Sequence, residues 1–169
     1  MEEHVILVDE TDCAIGSQEK LAAHKKGLLH RAFSIFIFNT QGELLLQKRA
    51  ASKYHSAGLW ANTCCSHPSP GEDVLAAAHR RLKEEMGFDC DLKPVGHLLY
   101  KTAFDNGLTE HEFDHLFVGV YAGEITSDIH EVEEWKWIST EELVTDIKHE
   151  PERYSYWLQN SLKDVLARR

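Results

Sequence analysis

The segment Asn62-Thr63-Cys64-Cys65-Ser66-His67-Pro68 puts a thiol two residues from an imidazole. A thiolate is a competent base of modest pKa, so this spacing suits proton transfer or nucleophilic attack. A charged run follows at once: Glu72, then Arg80-Arg81-Leu82-Lys83-Glu84-Glu85-Met86-Gly87-Phe88. Carboxylates one helical turn apart face the same side and can share divalent cations, and such cations neutralise phosphate oxygens. Further along lies Thr109-Glu110-His111-Glu112. In an extended strand Glu110 and Glu112 point to one face while His111 points away. A thiol beside carboxylates spaced to share divalent cations is an uncommon pairing, and it narrows the chemistry.

Aligned on Gly87, the charged run resembles a Nudix box, the loop-helix unit that holds a diphosphate through divalent metal. Ser66, Glu72, Arg80, Arg81, Leu82, Glu84, Glu85, Gly87 and Phe88 stand at its positions. Two of these depart from the pattern: Ser66 replaces the leading Gly and Arg81 replaces the first Glu of the box. A guanidinium in place of a carboxylate removes a metal ligand and adds positive charge. That would cripple a hydrolase that activates water through several metals, but not a protein that only grips the diphosphate. A plain surface helix with Arg80–Glu84 and Arg81–Glu85 ion pairs would explain the charges alone, but not the match across the whole pattern.

The thiol segment resembles the active-site stretch of the type I isopentenyl diphosphate isomerases. So do Glu19 to His24, His30, Lys48 to Lys53, Thr109 to Glu112 and Tyr156-Trp157. These segments span nearly the whole chain in the family's order. The resemblance implies that Cys65 is the catalytic thiol, with Cys64 at a variable position. It implies that His24, His30, His67, Glu110 and Glu112 ligate one divalent metal, Mn2+ or Zn2+. Glu112 would be the second proton-transfer group, assisted by Tyr100. Glu85 would hold Mg2+ arriving with the substrate diphosphate. Lys20, Arg49 and Lys53 would bind the diphosphate, and Trp157 would face the hydrocarbon tail. The histidine spacing is too irregular for a zinc finger or a helical pair, so the residues alone do not join them into one site.

The reaction so implied interconverts isopentenyl and dimethylallyl diphosphate, a step of isoprenoid biosynthesis, with no redox cofactor. A proton is added at one end of an allylic unit and another is removed at the other end. An alkene protonates through a tertiary carbocation, so a strong acid and exclusion of water are needed. Two other readings remain: a nucleoside-diphosphate-type pyrophosphohydrolase, against which Arg81 and the thiol both speak, and a catalytically silent Nudix module that binds a diphosphate or a protein.

Several elements must position these groups. Val5 to Val8 reads as a strand, and Gln18 to His24 as a short helix. His30 to Phe38 is apolar on both faces and so reads as a central strand. Asn39 to Gly42 is a turn into a partner strand over 43–49, and residues 50–61 read as a loop carrying Lys53, His55 and Gly58. Glu72 to Met86 reads as a helix with the stripe Leu75, Ala78, Leu82 and Met86, and with Gly87 as its C′ residue. Leu92 to Ala103, Glu112 to Tyr121 and Glu134 to Ile138 read as strands. Ser139 with Glu142 offers a capping box, and a last helix is expected over 151–166. The expected fold is α/β or α+β, a Nudix fold with a mixed central sheet flanked by helices. Residues 1–169 are expected to form one such domain, with a short N-terminal extension and a C-terminal helix.

The length of 169 residues suits one domain with a sizeable core. A net charge of −10 argues against nucleic acid as the main partner. No long apolar run suggests a membrane span, and the acidic start lacks a signal-peptide pattern. Cys13, Cys64, Cys65 and Cys90 make no C-x-x-C pair and read as reduced thiols of a cytoplasmic protein. The resemblance adds the expectation of a monomer that binds an isoprenoid diphosphate. Of the remaining imidazoles, His55 and His111 among them, the sequence marks none as functional.

Overall fold

A computed structural model describes residues 2–169. Nine strands form one mixed sheet: β1 His4–Val8, β2 Ala14–Glu19, β3 His30–Phe38, β4 Leu44–Arg49, β5 Trp60–Ala61, β6 Cys64–Ser66, β7 Lys93–Ala103, β8 Thr109–Val120 and β9 Val132–Ile138. Four α-helices accompany it: α1 Lys20–Lys26, α2 Val74–Met86, α3 Thr140–His149 and α4 Tyr156–Arg168.

β3 is the hub. It runs parallel to β8 from His30↔Glu112 to Phe38↔Val120, and antiparallel to β6 at Phe33↔Ser66, Ser34↔Cys65 and Ile35↔Cys64. Its alternate side chains enter two cores. Phe36 and Phe38 join Leu44, Leu46, Leu143, Leu158, Leu162 and Val165, so α3 and α4 cover that face. Phe33, Ile35 and Ile37 join Leu45, Ala77, Ala78, Leu82 and Met86, so α2 covers the other. This two-faced burial is why β3 reads as an almost unbroken apolar run.

The helix ends follow their local chemistry. Asp73 caps α2 by accepting from the Ala76 amide, and Ser139 and Ser155 cap α3 and α4. Gly87 ends α2 in the left-handed region at φ 74. A Cβ there would lie 2.2 Å from the Thr126 carbonyl oxygen, so both conformation and space require glycine.

Four sequence expectations are corrected. Gln18 and Glu19 are not helical: β2 pairs with β1 from His4↔Glu19 to Val8↔Ala14, and Glu19 caps α1 by accepting from the Leu21 and Ala22 amides. β2 is a mostly exposed edge strand, so it carries no apolar alternation to announce it. The stretch over 60–66, read without strands, contributes β5 and β6, too short for any periodicity. In α2, Leu75 is exposed and Ala77 takes the buried place. The last helix starts at Tyr156 after a separate 3-10 turn, Pro151–Arg153, because Ser155 restarts the helix as N-cap.

Candidate active site and metal centre

β8 provides the floor of the site. Glu110, Glu112 and Asp114 alternate inward and are buried, while His111 faces the other way and meets the Gly27 carbonyl at 3.1 Å. The parallel register sets His30 directly beside Glu112. Tyr100 of β7 is Glu112's direct partner across the sheet. α1 adds Lys20 and His24, four residues apart on one helical face, and the turn after β6 adds His67.

His24, His30, His67 and Glu112 each offer a ligand atom, all within 4.8 Å of one another. Glu112 Oε2 lies 2.9 Å from His67 Nε2 and 3.2 Å from His30 Nε2. His24 Nδ1 donates to the Lys20 carbonyl at 2.7 Å, which leaves its Nε2 lone pair free. That Nε2 is buried with no partner among the described residues. A buried lone pair aimed into a cluster of imidazoles and a carboxylate is the signature of a cation site, and this donor set suits a borderline divalent ion.

Electrostatics agree. Burial lowers the pKa of His24 and of His67 to about 4, so both imidazoles are neutral and able to ligate. Burial also opposes a charge on His30, but its hydrogen bond to Glu112, the charges of Glu112 and Glu110 and the Leu28 carbonyl together outweigh that and raise its pKa. Burial alone would raise Glu112; the hydrogen bonds from His30 and His67 overcome it and hold the carboxyl well below the usual range.

Tyr100 Oη is 2.7 Å from Glu112 Oε1 and also in contact with Glu110 Oε1. One hydroxyl proton cannot serve two carboxylates, so Tyr100 sits where a proton or a cation is shared between them. Burial first, and the two carboxylates next, push its pKa well up.

One cavity is lined by Cys65, His67, Glu110, Glu112 and Trp157, together with Lys20, Arg49, Lys53 and Arg81. The pairing Ser34↔Cys65 turns Cys65 to this side of the sheet and Cys64 to the α2 side. Cys65 Sγ donates to Asn62 Oδ1 at 3.4 Å. Burial raises its pKa well above the usual thiol value, with Arg49 opposing. Trp157 is buried, and the Arg49 guanidinium carbon lies 4.9 Å from its ring centroid.

The other expected site residues divide. Glu110 groups with His24 and with His55, which the sequence left unmarked. Glu85 stands apart from the histidines: its Oε2 accepts from Cys64 Sγ at 2.7 Å and its Oε1 lies 3.2 Å from Arg81 Nη2. Two further residues are drawn in. Arg81, noted only as a departure from the box, lines the cavity. Glu131 also lines it and lies 2.5 Å from Lys53 and 3.6 Å from Arg81. The added positive charge in the box was the available signal for Arg81; Glu131 had none, lying 78 residues from its Lys53 partner.

A family model described as NUDIX domain matches residues 28–159. The isopentenyl-diphosphate Delta-isomerase 2 of Aromatoleum aromaticum is 52% identical over 167 residues, 99% of this chain and 88% of that one. The isopentenyl-diphosphate Delta-isomerase of Serratia proteamaculans is 52% identical over 167 residues, 99% and 93% of the two chains. The crystal structure of DR0079 from Deinococcus radiodurans superposes with a TM-score of 0.72 over 87% of this chain and 90% of that one; at 18% identity it speaks for the fold alone. Fold, site and relatives together place the chain in the isopentenyl-diphosphate Delta-isomerase family of the Nudix superfamily.

Proposed function

We propose that the chain interconverts isopentenyl and dimethylallyl diphosphate, using Cys65 and Glu112 as the two proton-transfer groups. The observation that carries this is that both line one cavity, with four cationic side chains lining it as well. Lys20, Arg49, Lys53 and Arg81 would hold the diphosphate through charge-assisted hydrogen bonds. The five-carbon tail would then lie between the thiol and the carboxyl group, against Trp157.

One group gives a proton to a terminal carbon of the allylic unit, and the other takes a proton from the opposite end. The π pair of the old double bond forms the new C–H bond and the electron pair of the broken C–H bond becomes the new double bond, so atoms and charge balance. Because the reaction is reversible, each group is acid in one direction and base in the other. The indole face stabilises the transient tertiary cation by about 0.5–2 kcal/mol. Tyr100, touching Glu112, helps hold the proton there.

His24, His30, His67 and Glu112, with Glu110, would hold Mn2+ or Zn2+, which when bound makes the conjugate base of a liganded carboxylic acid more stable. We assign Glu85, through its border with Arg81, to Mg2+ arriving with the diphosphate. Residues 1–169 are read as one Nudix domain, on the strength of a family match over 28–159 and a sheet that links β1 to β9. Four unpaired cysteines favour a cytoplasmic location, and among the described residues no helix is long and apolar enough to cross a membrane.

The test is incubation of metal-loaded, thiol-reduced protein with isopentenyl diphosphate and magnesium. The acid-labile allylic isomer is expected. Absence of product, or release of inorganic phosphate instead, contradicts the proposal.

A further inference from the structure

Glu110 has both carboxylate oxygens engaged, and only one partner belongs to the groups considered so far. Oε1 meets the Tyr100 hydroxyl. Oε2 lies 3.1 Å from Nε2 of His55. His55 is 5% exposed, although it sits in the loop between β4 and β5. Loop histidines are ordinarily solvated, so its burial calls for a reason.

The ring is fixed on every side. It stacks on Phe104 with centroids 4.6 Å apart and planes at 12°. It meets Trp157 edge-on at 5.7 Å. Its Nδ1 lies 3.1 Å from Ser56 Oγ, which can donate to it, so that Nε2–H is the donor to Glu110. Its carbonyl accepts from Arg49 Nη2 at 3.1 Å. His24, His55 and Glu110 bring their ligand atoms within 4.8 Å of one another, beside the four-group cluster that shares His24.

We propose that His55 is a positioning residue of the metal centre: its Nε2–H donates to Glu110 and orients that carboxylate toward the cation. A free carboxylate side chain must be ordered when it ligates, and a hydrogen bond from a locked ring removes that cost beforehand. Loss of a partner of this kind typically costs about 10–100-fold in metal affinity. His55 also shares its loop with Lys53, so one segment carries a support of the metal centre and a cation for the diphosphate.

This inference rests on the metal-site reading above, and its test keeps the two apart. Manganese affinity is measured by chelator competition on stripped wild type and on His55→Ala, His55→Asn and His55→Gln, with melting of the metal-free proteins as a folding control. A glutamine amide nitrogen can take the place of Nε2, whereas that of asparagine takes the place of Nδ1. Alanine and asparagine are expected to weaken manganese binding about 10–100-fold, with glutamine recovering most of the loss. If alanine prevents folding, the glutamine–asparagine pair decides alone. Variants that bind like wild type, or glutamine no better than asparagine, overturn the role of His55. A wild type that binds no manganese instead contradicts the metal-site reading itself.

Discussion

The two ends of the cavity are charged in opposite ways and built differently. The histidine–carboxylate end rests mostly on the sheet: β3 gives His30, β8 gives Glu110 and Glu112, and β7 gives Tyr100. Its charges are buried and held by fixed neighbours. The cationic end rests on an edge helix, a strand end and a loop, which supply Lys20, Arg49 and Lys53. Lys20 lies 2.8 Å from Glu3, and Lys53 2.5 Å from Glu131, both on the cavity rim. Exposed Glu3 and partly exposed Glu131 are exchangeable partners, whereas His30 and His67 around Glu112 are not. The inner end is prepared for proton transfer by burial, and Lys20 and Lys53 of the outer end for an anion by salt bridges that a diphosphate can replace, while Arg49 is buried against Trp157.

This difference can be broken most severely at the inner end. Cys65→Ala and Glu112→Gln should each lower kcat by about 10²–10⁴-fold or more, with KM changed far less. Steady-state kinetics decides it, and a loss that falls mainly in KM would move these groups to binding. Metal affinity should depend on pH at this end. Because the His30 pKa is raised, an incoming cation must displace its proton, so affinity begins to fall above the ordinary histidine value and goes on falling as pH drops. His24 and His67, at about 4, compete only in stronger acid. Chelator competition at several pH values tests the sign; affinity that is flat from pH 8 to pH 4 contradicts a three-histidine site.

The outer end should respond to charge and salt instead. Lys53→Ala removes one charge-assisted contact, about 1.5–3 kcal/mol, so KM should rise about 10–150-fold while kcat holds. Added salt should weaken inorganic pyrophosphate binding and leave manganese affinity nearly unchanged. The smallest effect is expected from Glu131→Gln. Freeing Lys53 and Arg81 from a partly exposed carboxylate should lower KM by about two- to threefold, in keeping with the weakness of such pairs. A rise in KM would instead make Glu131 a scaffold for the two cations.

The sequence disclosed these two ends unequally. β3, β8 and α2 carry strong periodicity or length, and alternation puts Glu110 and Glu112 on one face; but the strand expected from the sequence begins at Glu112 where β8 begins at Thr109, and a metal role for the two carboxylates comes from the resemblance. The union of His24, His30 and His67 follows from no such pattern, because it depends on α1, β3 and the turn after β6 meeting across β8; only the resemblance joined them. His55 stayed hidden for the same reason: its partner Glu110 and its stacking partner Phe104 belong to β8 and the β7–β8 turn. β2 and β6 escaped because an exposed edge and a three-residue strand have no pattern to read.

The central claim is that Cys65 and Glu112 act on one five-carbon unit from the same cavity. Its most direct test is turnover of isopentenyl diphosphate in deuterated water, followed by NMR of the allylic product. Wild type should place solvent deuterium in the new methyl group. Cys65→Ala and Glu112→Gln should each form product, and exchange deuterium into recovered substrate, at least about 10²-fold more slowly than wild type. Wild-type turnover in either variant, at full metal loading, would contradict the account.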